Sequence, residues 1–430
     1  TTSTITIPII GASITGLTTA HSLLSHFTTS NNITNNKGPK IKILLINPTP
    51  TFYWAIAAPR ILTKPSAFTE SQYLIPIADG FTKYSPDVFE FILGRATSLD
   101  FDKKLLQVEE VTDTESNKSL REIKYDYLVI ASGSTPSASS TETLFPGEDG
   151  EKEIYPFKLS PTSTTTITEA IKSAQTTIST AKRITVIGAG PIGVEIAGEL
   201  GDLITPSSSS SSEGESRKEI TLISSTPRIL PTLKPSASET ATSLLTNKGV
   251  RVLTDQKVIS VSSKEQGGYE LKLNNGETLE TDIYIPTIGV LPNSSYIPPE
   301  VLDERGWVRV DEELKVEGVE GVYAAGDITT HKQKLSFKAD EMAGVVVGNL
   351  VDDIGNINGV GKGGKGRGWW RCGGGGRKTY DEGNDVMMVV PVGTSGGTGQ
   401  AFGWVLVSFM VWLAKGRDYF IWKAKGYVFK

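Results

Sequence analysis

Two glycine-rich turns of the same kind stand in this chain, each between an apolar run and a helical pattern. The first is GASITG at residues 11–16 and the second is GAGPIG at residues 188–193. Glycine in such a turn permits a tight bend, a close approach of the backbone to a pyrophosphate and close packing of the helix on the strand. The helix then presents free N–H groups to the phosphates. Two turns about a domain's length apart predict two βαβ units, and therefore two bound dinucleotides.

The two turns differ in regularity. The second has the full G-x-G-x-x-G pattern after a β-branched strand, whereas the first has Ser13 in place of its middle glycine. Pro8 lies inside the first strand, where a missing N–H normally costs a bond of the sheet. Asn47 ends the next strand, IKILLIN, where an acidic residue would usually bind the adenosine ribose. An asparagine can still form a hydrogen bond with a hydroxyl group.

Composition limits the class of protein. The 430 residues are 38% hydrophobic and 21% charged, as in a soluble globular protein of two or three domains. A net charge of −5 gives no general reason to expect nucleic acid. Cys372 is the only cysteine of the sequence, so no internal disulfide or C-x-x-C redox pair can form.

No targeting segment is visible, and the most apolar stretch, residues 401–414, is shorter than the roughly 20 residues of a spanning helix. We expect a cytoplasmic protein, with peripheral membrane contact and a mitochondrial location left open.

Three polar stretches are predicted to be surface insertions, at residues 28–40, 205–218 and 352–385. The first two lie at matching positions of the two units, which supports the duplication. The third contains GKGGKGRGWWRCGGGGRK. Its six cations and two tryptophans without an acid could bind single-stranded nucleic acid, although low-complexity sequence of this kind is more often a solvated loop.

Several motifs occur in a recognisable order: GASITG, AAPR at 57–60, YLVIASGS, GAGPIGVE, VYAAGD, KADEMAG, GTSGGTGQAFG and LAKGRDYF. In this order they resemble the apoptosis-inducing-factor-like flavoproteins, most closely the ferroptosis-suppressor type and its fungal relatives. The resemblance implies an α/β fold with two Rossmann-like domains for FAD and NAD(P)H, in the architecture of glutathione reductase, and a small C-terminal α+β segment. The domains it implies are an FAD domain at 1–150 and 289–350, an NAD(P)H domain at 151–288, a Gly-rich insertion at 351–385 and the C-terminal segment at 386–430.

The resemblance also implies site residues. FAD would contact the first turn, with Asn47 near its ribose, Arg60 near its pyrophosphate, Ala96 near its adenine and Asp327 at its ribityl chain. The full FAD set is Gly11, Ala12, Ser13, Ile14, Thr15, Gly16, Asn47, Arg60, Ala96, Ser132, Gly133, Gly326 and Asp327. The helix that begins at Lys338 and Ala339 would face the isoalloxazine. NAD(P)H would contact Gly188, Gly190, Pro191, Ile192 and Gly193, and Glu195 and Lys415 would be the catalytic residues.

Simpler roles stay open for four of these residues. Asp327 could be a helix cap, and Arg60 could be a surface charge. Glu195 could complement the helix dipole or pair with a buried lysine. Lys415 in a basic tail could simply be solvated.

The choice between NADH and NADPH depends on the strand EITLISS. It ends in Ser224 and Ser225, where NAD-specific folds often have an acid, and Arg228 follows. Without that acid a 2′-phosphate is not repelled, so NADPH is permitted.

The cofactors define the chemistry. NAD(P)H would deliver a hydride to flavin N5, and the flavin would reduce a second acceptor. Because no cysteine pair can relay the electrons, we expect a diffusible acceptor, and the resemblance suggests a quinone. The alternatives are a biosynthetic flavoenzyme with its own small substrate and a nucleic-acid-binding flavoprotein.

The remaining expectations concern partners and metals. The aromatic and basic C-terminal segment could rest on a membrane surface, although aromatic residues more often pack inside, and a homodimer is possible. The three histidines, His21, His26 and His331, form no metal-binding pattern.

Overall fold

The computed structural model describes residues 4–33, 40–111, 119–137, 158, 166–204, 218–357 and 377–430. Much of the three predicted insertions, including Cys372 and both tryptophans of the third, lies outside these ranges. The strands are β1 (Ile5–Ile10), β2 (Ile41–Asn47), β3 (Thr51–Tyr53), β4 (Leu74–Pro76), β5 (Phe89–Asp100), β6 (Leu105–Glu110), β7 (Ser119–Lys124), β8 (Leu128–Ile130), β9 (Ser134–Pro136), β10 (Arg183–Ile187), β11 (Glu219–Ile223), β12 (Arg251–Leu253), β13 (Val258–Ser263), β14 (Tyr269–Leu273), β15 (Thr278–Thr281), β16 (Ile283–Pro286), β17 (Val290–Pro292), β18 (Val322–Ala324), β19 (Met388–Pro391), β20 (Gly397–Ala401) and β21 (Trp404–Val405). The helices are α1 (Ile14–Ile33), α2 (Ala58–Thr63), α3 (Glu70–Tyr73), α4 (Ile167–Thr180), α5 (Pro191–Gly201), α6 (Pro235–Asn247), α7 (Ser336–Ile357), α8 (Ser408–Val411) and α9 (Ala424–Val428).

The predicted α/β fold with two Rossmann-like units is confirmed. The first sheet has the order β18-β8-β1-β2-β5-β6-β7, with parallel pairing from β18 to β5 and an antiparallel meander from β5 to β7. The second has the parallel order β12-β11-β10-β16, accompanied by the antiparallel meander β13-β14-β15. Each unit therefore consists of a parallel sheet and a three-stranded meander.

Pro8 is tolerated because of where it lies in β1. The carbonyls of Thr6 and Ile10 accept hydrogen bonds from the β8 side, so the alternation of a strand points the backbone of Pro8 to the same side. Residue pairing with β8 begins only at Ile9, whereas β2 pairs along the whole of β1. The missing N–H therefore falls where the β1–β8 ladder has barely begun.

Two predicted insertions begin or end inside packed structure. Helix α1 continues to Ile33, so the first residues of the predicted loop at 28–40 are helical instead. Likewise α7 extends to Ile357, and Arg377 returns to it by donating to Asp353 Oδ1 (2.5 Å) and to the hydroxyl of Tyr323 (2.8 Å). Arg377 is one of the six cations on which the nucleic-acid hypothesis depended, and it forms an ion pair with Asp353 of α7, which is partly buried.

The C-terminal segment forms a small sheet, β19-β20-β21, followed by short helices that dock on the first unit. His21 contacts the carbonyl of Val428 through Nε2 (2.8 Å), and Trp54 Nε1 donates to the carbonyl of Tyr419 (2.9 Å). Val428 and Tyr419 are completely buried. No helix among the described residues is both long and apolar enough to cross a bilayer.

Candidate dinucleotide sites and the interdomain ion pair

The first glycine turn lies where four parallel strands end at one edge of the first sheet. Gly11 follows β1, Asn47 ends β2, and the loops after β8 and β18 carry Ser132 and Asp327. Ligands of open α/β sheets bind outside this carboxyl edge. These four of the sequence-predicted FAD residues therefore come from separate elements to one edge of the sheet.

Close approaches explain the glycines of this turn. A Cβ on Gly16 would lie 1.8 Å from the carbonyl oxygen of Gly11, so only glycine lets α1 begin so close to the strand. Gly326 has a φ of +80°, and a Cβ there would lie 2.5 Å from Thr15 Oγ1. The loop that carries Asp327 is thereby packed directly on the first turn.

Asn47 connects the first glycine turn to Thr49 by hydrogen bonds. Its Oδ1 accepts a hydrogen bond from the backbone N–H of Ala12 (2.9 Å), and its Nδ2 donates to the carbonyl (2.8 Å) and hydroxyl (3.0 Å) of Thr49. Asn47 is 8% exposed. An aspartate could accept from Ala12 but could not donate to Thr49, so the amide suits this environment.

Asp327 has two partners that sequence reasoning missed. The ammonium of Lys158 forms an ion pair with Asp327 Oδ2, and the hydroxyl of Ser134 donates to the same oxygen (3.1 Å). Burial raises the pKa of Asp327, but the charge and hydrogen bond of Lys158, the charge of Lys334 and the hydrogen bond of Ser134 together outweigh it, so the pKa is lowered. Nearby, burial lowers the pKa of Lys334 to about 8. Lys158 could not be identified from the sequence because it lies in no recognisable motif.

The turn after β8 is fixed by Asn293, which sequence reasoning also missed. Asn293 Nδ2 donates to the carbonyl of Ser132 (2.8 Å), and its backbone N–H donates to the carbonyl of Gly133 (3.0 Å). Gly133 has a φ of +67°, and no atom lies within 4 Å of a Cβ built on it. This leaves open space beside a rigid turn, which is what a bound nucleotide requires. Ala96, opposite Val108 at a bulge of the β5–β6 ladder, lies three residues beyond the partner of Asn47.

The second glycine turn has the same construction. A Cβ on Gly193 would lie 1.9 Å from the carbonyl of Gly188, whose φ is +106°. At Gly190, by contrast, an added Cβ meets nothing within 4 Å. Pro191 is the first residue of α5, and Ile192 is 36% exposed. The middle glycine therefore borders open space in front of the helix N-terminus, where a pyrophosphate binds in such turns.

Helix α7 begins at Ser336, two residues before the predicted start. Lys338 Nζ donates to Glu341 Oε2 (3.0 Å) on the same helix, and Ala339 is buried. Their contact with the flavin stays a prediction.

Arg60 lies in a different environment from the one predicted. It is 4% exposed, and its guanidinium donates to Glu199 and to the carbonyls of Gly416 (2.8 Å) and Arg417 (2.9 Å). Glu199 belongs to α5 of the second unit and is completely buried. In this structure Arg60 therefore joins three parts of the chain, and its contact with the pyrophosphate stays a prediction.

The two residues predicted to be catalytic contact one another. Lys415 Nζ donates to Glu195 Oε1 at 2.5 Å, although the two residues are far apart in sequence. Their side chains are only 16% and 4% exposed. Burial raises the pKa of Glu195 against the opposing effect of Lys415. Of the roles left open, the solvated lysine is wrong, and the pairing of Glu195 with a lysine is confirmed, although that lysine is only partly buried.

Histidines and acids form no metal-binding cluster among the described residues. His21 stacks on Phe81 at 4.2 Å between ring centres, and His331 Nδ1 lies 3.8 Å from Glu382 Oε2. Burial lowers the pKa of all three histidines, to about 4 for His21. His21 is buried and therefore neutral at physiological pH, whereas His26 is exposed on α1.

The fold and its two glycine turns define a flavoprotein that binds two dinucleotides. Residues 5–343 match the family model of the pyridine nucleotide-disulphide oxidoreductases, and the chain belongs to that family. It is an NAD(P)H-dependent flavin oxidoreductase, and FAD is the typical flavin of this family.

Three other proteins show what the chain is similar to. It is 37% identical to oxidoreductase ptaL of Pestalotiopsis fici, over 80% of this chain and 82% of that protein. It is 25% identical to ferroptosis suppressor protein 1 of Taeniopygia guttata, over 71% and 73%. The sulfide:quinone oxidoreductase of Aquifex aeolicus superposes with a TM-score of 0.68 at 16% identity, covering 99% of this chain and 92% of that one. The last likeness shows that the shared fold extends through the C-terminal segment.

Proposed function

We propose that this flavoprotein passes electrons from NAD(P)H directly to a quinone. The observation that carries the proposal is the Lys415–Glu195 pair, with its carboxylate buried, in a chain whose sequence has one cysteine. The family name refers to disulphides, but a disulphide relay within one chain needs two cysteines. The related ferroptosis suppressor protein and the similarly folded sulfide:quinone oxidoreductase support a quinone-type acceptor.

The chain's own residues supply binding and electrostatics. Bound FAD would take a hydride from NAD(P)H and release two electrons to the second acceptor. The helix N-termini at the two glycine turns suit the two pyrophosphates, and Asp327 suits a hydroxyl of the ribityl chain because it still has carboxylate acceptor capacity.

Reduction of a quinone to the quinol takes two electrons and two protons. The hydride that NAD(P)H delivers would supply both electrons and one proton, and the Lys415–Glu195 pair can supply the second proton. Burial favours the protonated form of Glu195, so one proton can be shared between Lys415 Nζ and Glu195 Oε1, 2.5 Å apart. We propose that this pair donates a proton to the reduced quinone oxygen. Positioned proton donors of this kind typically contribute about 10²–10⁴-fold to a rate.

The experiment is a stopped-flow measurement on the holoprotein reduced anaerobically with NAD(P)H. A short-chain ubiquinone analogue should reoxidise the flavin rapidly, and K415M should slow that step at least about 10²-fold. Ferricyanide, which takes electrons without protons, serves as the control and should oxidise both proteins equally. If the flavin of the wild-type protein is reoxidised no faster with the quinone than in buffer alone, the acceptor belongs to another class. A biosynthetic flavoenzyme with its own small substrate would give that result.

We also propose that the second turn accepts NADPH. Strand β11 ends at Ile223, and Ser224 is buried with its hydroxyl 2.9 Å from Thr226 Oγ1. Ser225 is exposed, and Arg228 donates to the carbonyl of Pro231 through Nη2 (2.9 Å). Arg228 still has guanidinium N–H groups for a 2′-phosphate, which planar arginine binds well.

The C-terminal segment carries an exposed apolar face. Its six side chains are each at least half exposed, and the three aromatic ones present about 330–550 Å², taking about 150–250 Å² for a full aromatic side chain: Phe402, Trp404, Val407, Phe409, Met410 and Leu413. No residue between Phe402 and Ala414 is charged. The earlier expectation that the aromatic residues pack inside is therefore wrong for this part of the segment.

We propose that a second copy of the chain covers this apolar face. Its three aromatic side chains alone present about half of the roughly 800 Å² that each partner buries in a standard interface. Strand β21 pairs only with β20 among the described strands, which leaves an edge for pairing across a dimer. Sedimentation should show a dimer that the double variant W404S/F409S dissociates. A monomer at every concentration that binds anionic vesicles would instead indicate membrane contact.

A further inference from the structure

We propose that Arg60 and Tyr419 are positioning residues that hold the Lys415 ammonium at Glu195. This inference rests on the function proposed above for the Lys415–Glu195 pair. It assigns Arg60 a role other than binding the pyrophosphate.

Arg60 donates hydrogen bonds to the backbone directly after Lys415. Its Nη2 donates to the carbonyl of Gly416 at 2.8 Å and its Nη1 to the carbonyl of Arg417 at 2.9 Å. The carbonyl of Lys415 itself accepts from the backbone N–H of Tyr419 at 2.7 Å. Three consecutive carbonyls, beginning at Lys415, are thus fixed by two residues.

Glu199 connects Arg60 to α5, the helix that carries Glu195. Its carboxylate accepts Arg60 Nη2 at 2.7 Å and both of its oxygens lie 3.1 Å from Arg60 Nε. The hydroxyl of Tyr419 donates to Glu199 Oε1 at 3.1 Å, and Lys64 contributes a further ion pair at 2.7 Å. Because Glu195 and Glu199 are four residues apart on α5, they lie on one face of the helix. One helix face therefore anchors both the ammonium and the backbone of the Lys415 segment.

Tyr419 is the centre of this arrangement. It is completely buried, with the guanidinium carbon of Arg60 4.8 Å and Lys415 Nζ 5.5 Å from its ring centre. Its φ of +50° lies in the left-handed region, which costs a side-chain-bearing residue energy unless its surroundings impose it. Lys415 itself lies in a π-helical turn, Trp412–Gly416, a conformation often found at functional sites.

The stability of the fold alone does not explain why charged residues form this network. A buried ion pair can often be replaced by apolar residues at no cost in stability, whereas directional hydrogen bonds fix a geometry. Each of the three guanidinium nitrogens of Arg60 has an acceptor in this network. None of these acceptors belongs to the first glycine turn.

The test uses holoprotein variants R60Q and Y419F, with Y427F as the matched control. Tyr427 also donates its hydroxyl to a carboxylate of the fold, Asp340 (2.9 Å), but it has no contact with Glu199. FAD content, the rate of flavin oxidation by a ubiquinone analogue and the pH profile of that rate are measured for each variant. The same variants are also made on a K415M background.

We expect R60Q to retain about one FAD per chain and to lose roughly 10–100-fold in quinone reduction, the cost of a misplaced catalytic group. Y419F should lose less, Y427F should match wild type, and the pH profile should shift in R60Q and Y419F. On the K415M background neither variant should cause a further loss. Y419F keeps the ring and every charge, so it carries the test if R60Q does not fold.

Two results would overturn the inference. Loss of FAD from R60Q would restore the pyrophosphate role, and losses that multiply with that of K415M would separate Arg60 and Tyr419 from Lys415. A failure of the proposed function is distinguishable, because K415M would then itself reduce quinone at the wild-type rate.

Discussion

Replacing Lys415 by methionine removes one partner of the Lys415–Glu195 ion pair. Methionine keeps much of the length of the side chain but leaves Glu195, 4% exposed, without its counter-charge. Removing one partner of a buried pair costs about 3–5 kcal/mol. Because Lys415 is 16% exposed, we expect the lower end, about 3 kcal/mol at pH 8.

The cost should depend on pH in a defined direction. Burial raises the pKa of Glu195 above its unfolded value, so the folded state holds the proton more tightly than the unfolded state. The free energy of unfolding therefore falls as the pH rises above the unfolded pKa of about 4.3. In K415M this fall should be larger than in wild type and extend to higher pH, since the opposing charge of Lys415 no longer limits the rise of the Glu195 pKa.

Urea unfolding of wild type, K415M and K415M/E195Q at pH 5 and pH 8 measures this effect. K423M is the matched control, because Lys423 is an exposed lysine of the same segment. The double variant should recover much of the stability and lose the pH dependence, as it removes the uncompensated acid. The reasoning is refuted if K415M costs no more than K423M, or if its cost is the same at both pH values.

Three further predictions concern other parts of the chain. Burial lowers the pKa of His21 to about 4, so the protein should lose about 3 kcal/mol of stability as the pH falls from 6.5 to 4, and urea midpoints of H21L should lose this dependence. G16A should yield no FAD-bound protein, whereas G190A, with open space at its Cβ, should fold with FAD and show a higher KM for NAD(P)H. R228Q should raise the KM for NADPH roughly 10-fold, the loss of about one charge-assisted hydrogen bond, with no change for NADH; equal effects on both would place Arg228 outside the 2′-phosphate site.

The sequence predicted those parts of the fold that depend on local rules. The glycine turns and the strands β2 and β10 follow from residue pattern, and the open spaces at Gly133 and Gly190 are consistent with the predicted ligand sites. Helix ends were less predictable: α1 and α7 continue into polar sequence, because helix formation at a terminus is favoured by packing of the preceding turns as well as by residue type.

Contacts between distant segments could not be predicted. Arg60 shows this best, because its partners lie in α5 and after α8, and nothing near it in sequence indicates that Glu199 is buried opposite. Lys158 and Asn293 also lack a local motif, although they hold Asp327 and the turn at Ser132. Such ion pairs and hydrogen bonds depend on how the two units and the C-terminal segment pack.

The most direct test of the account is an anaerobic titration of the purified holoprotein with NAD(P)H, followed by flavin absorbance. An enzyme with a redox-active cysteine pair takes up four electrons per FAD, and a flavin alone takes up two. We predict complete bleaching at about one equivalent of NAD(P)H per FAD, because the sequence has one cysteine and therefore no cysteine pair that could take up two further electrons. A requirement for two equivalents, or a flavin that neither NADH nor NADPH bleaches, would contradict the account.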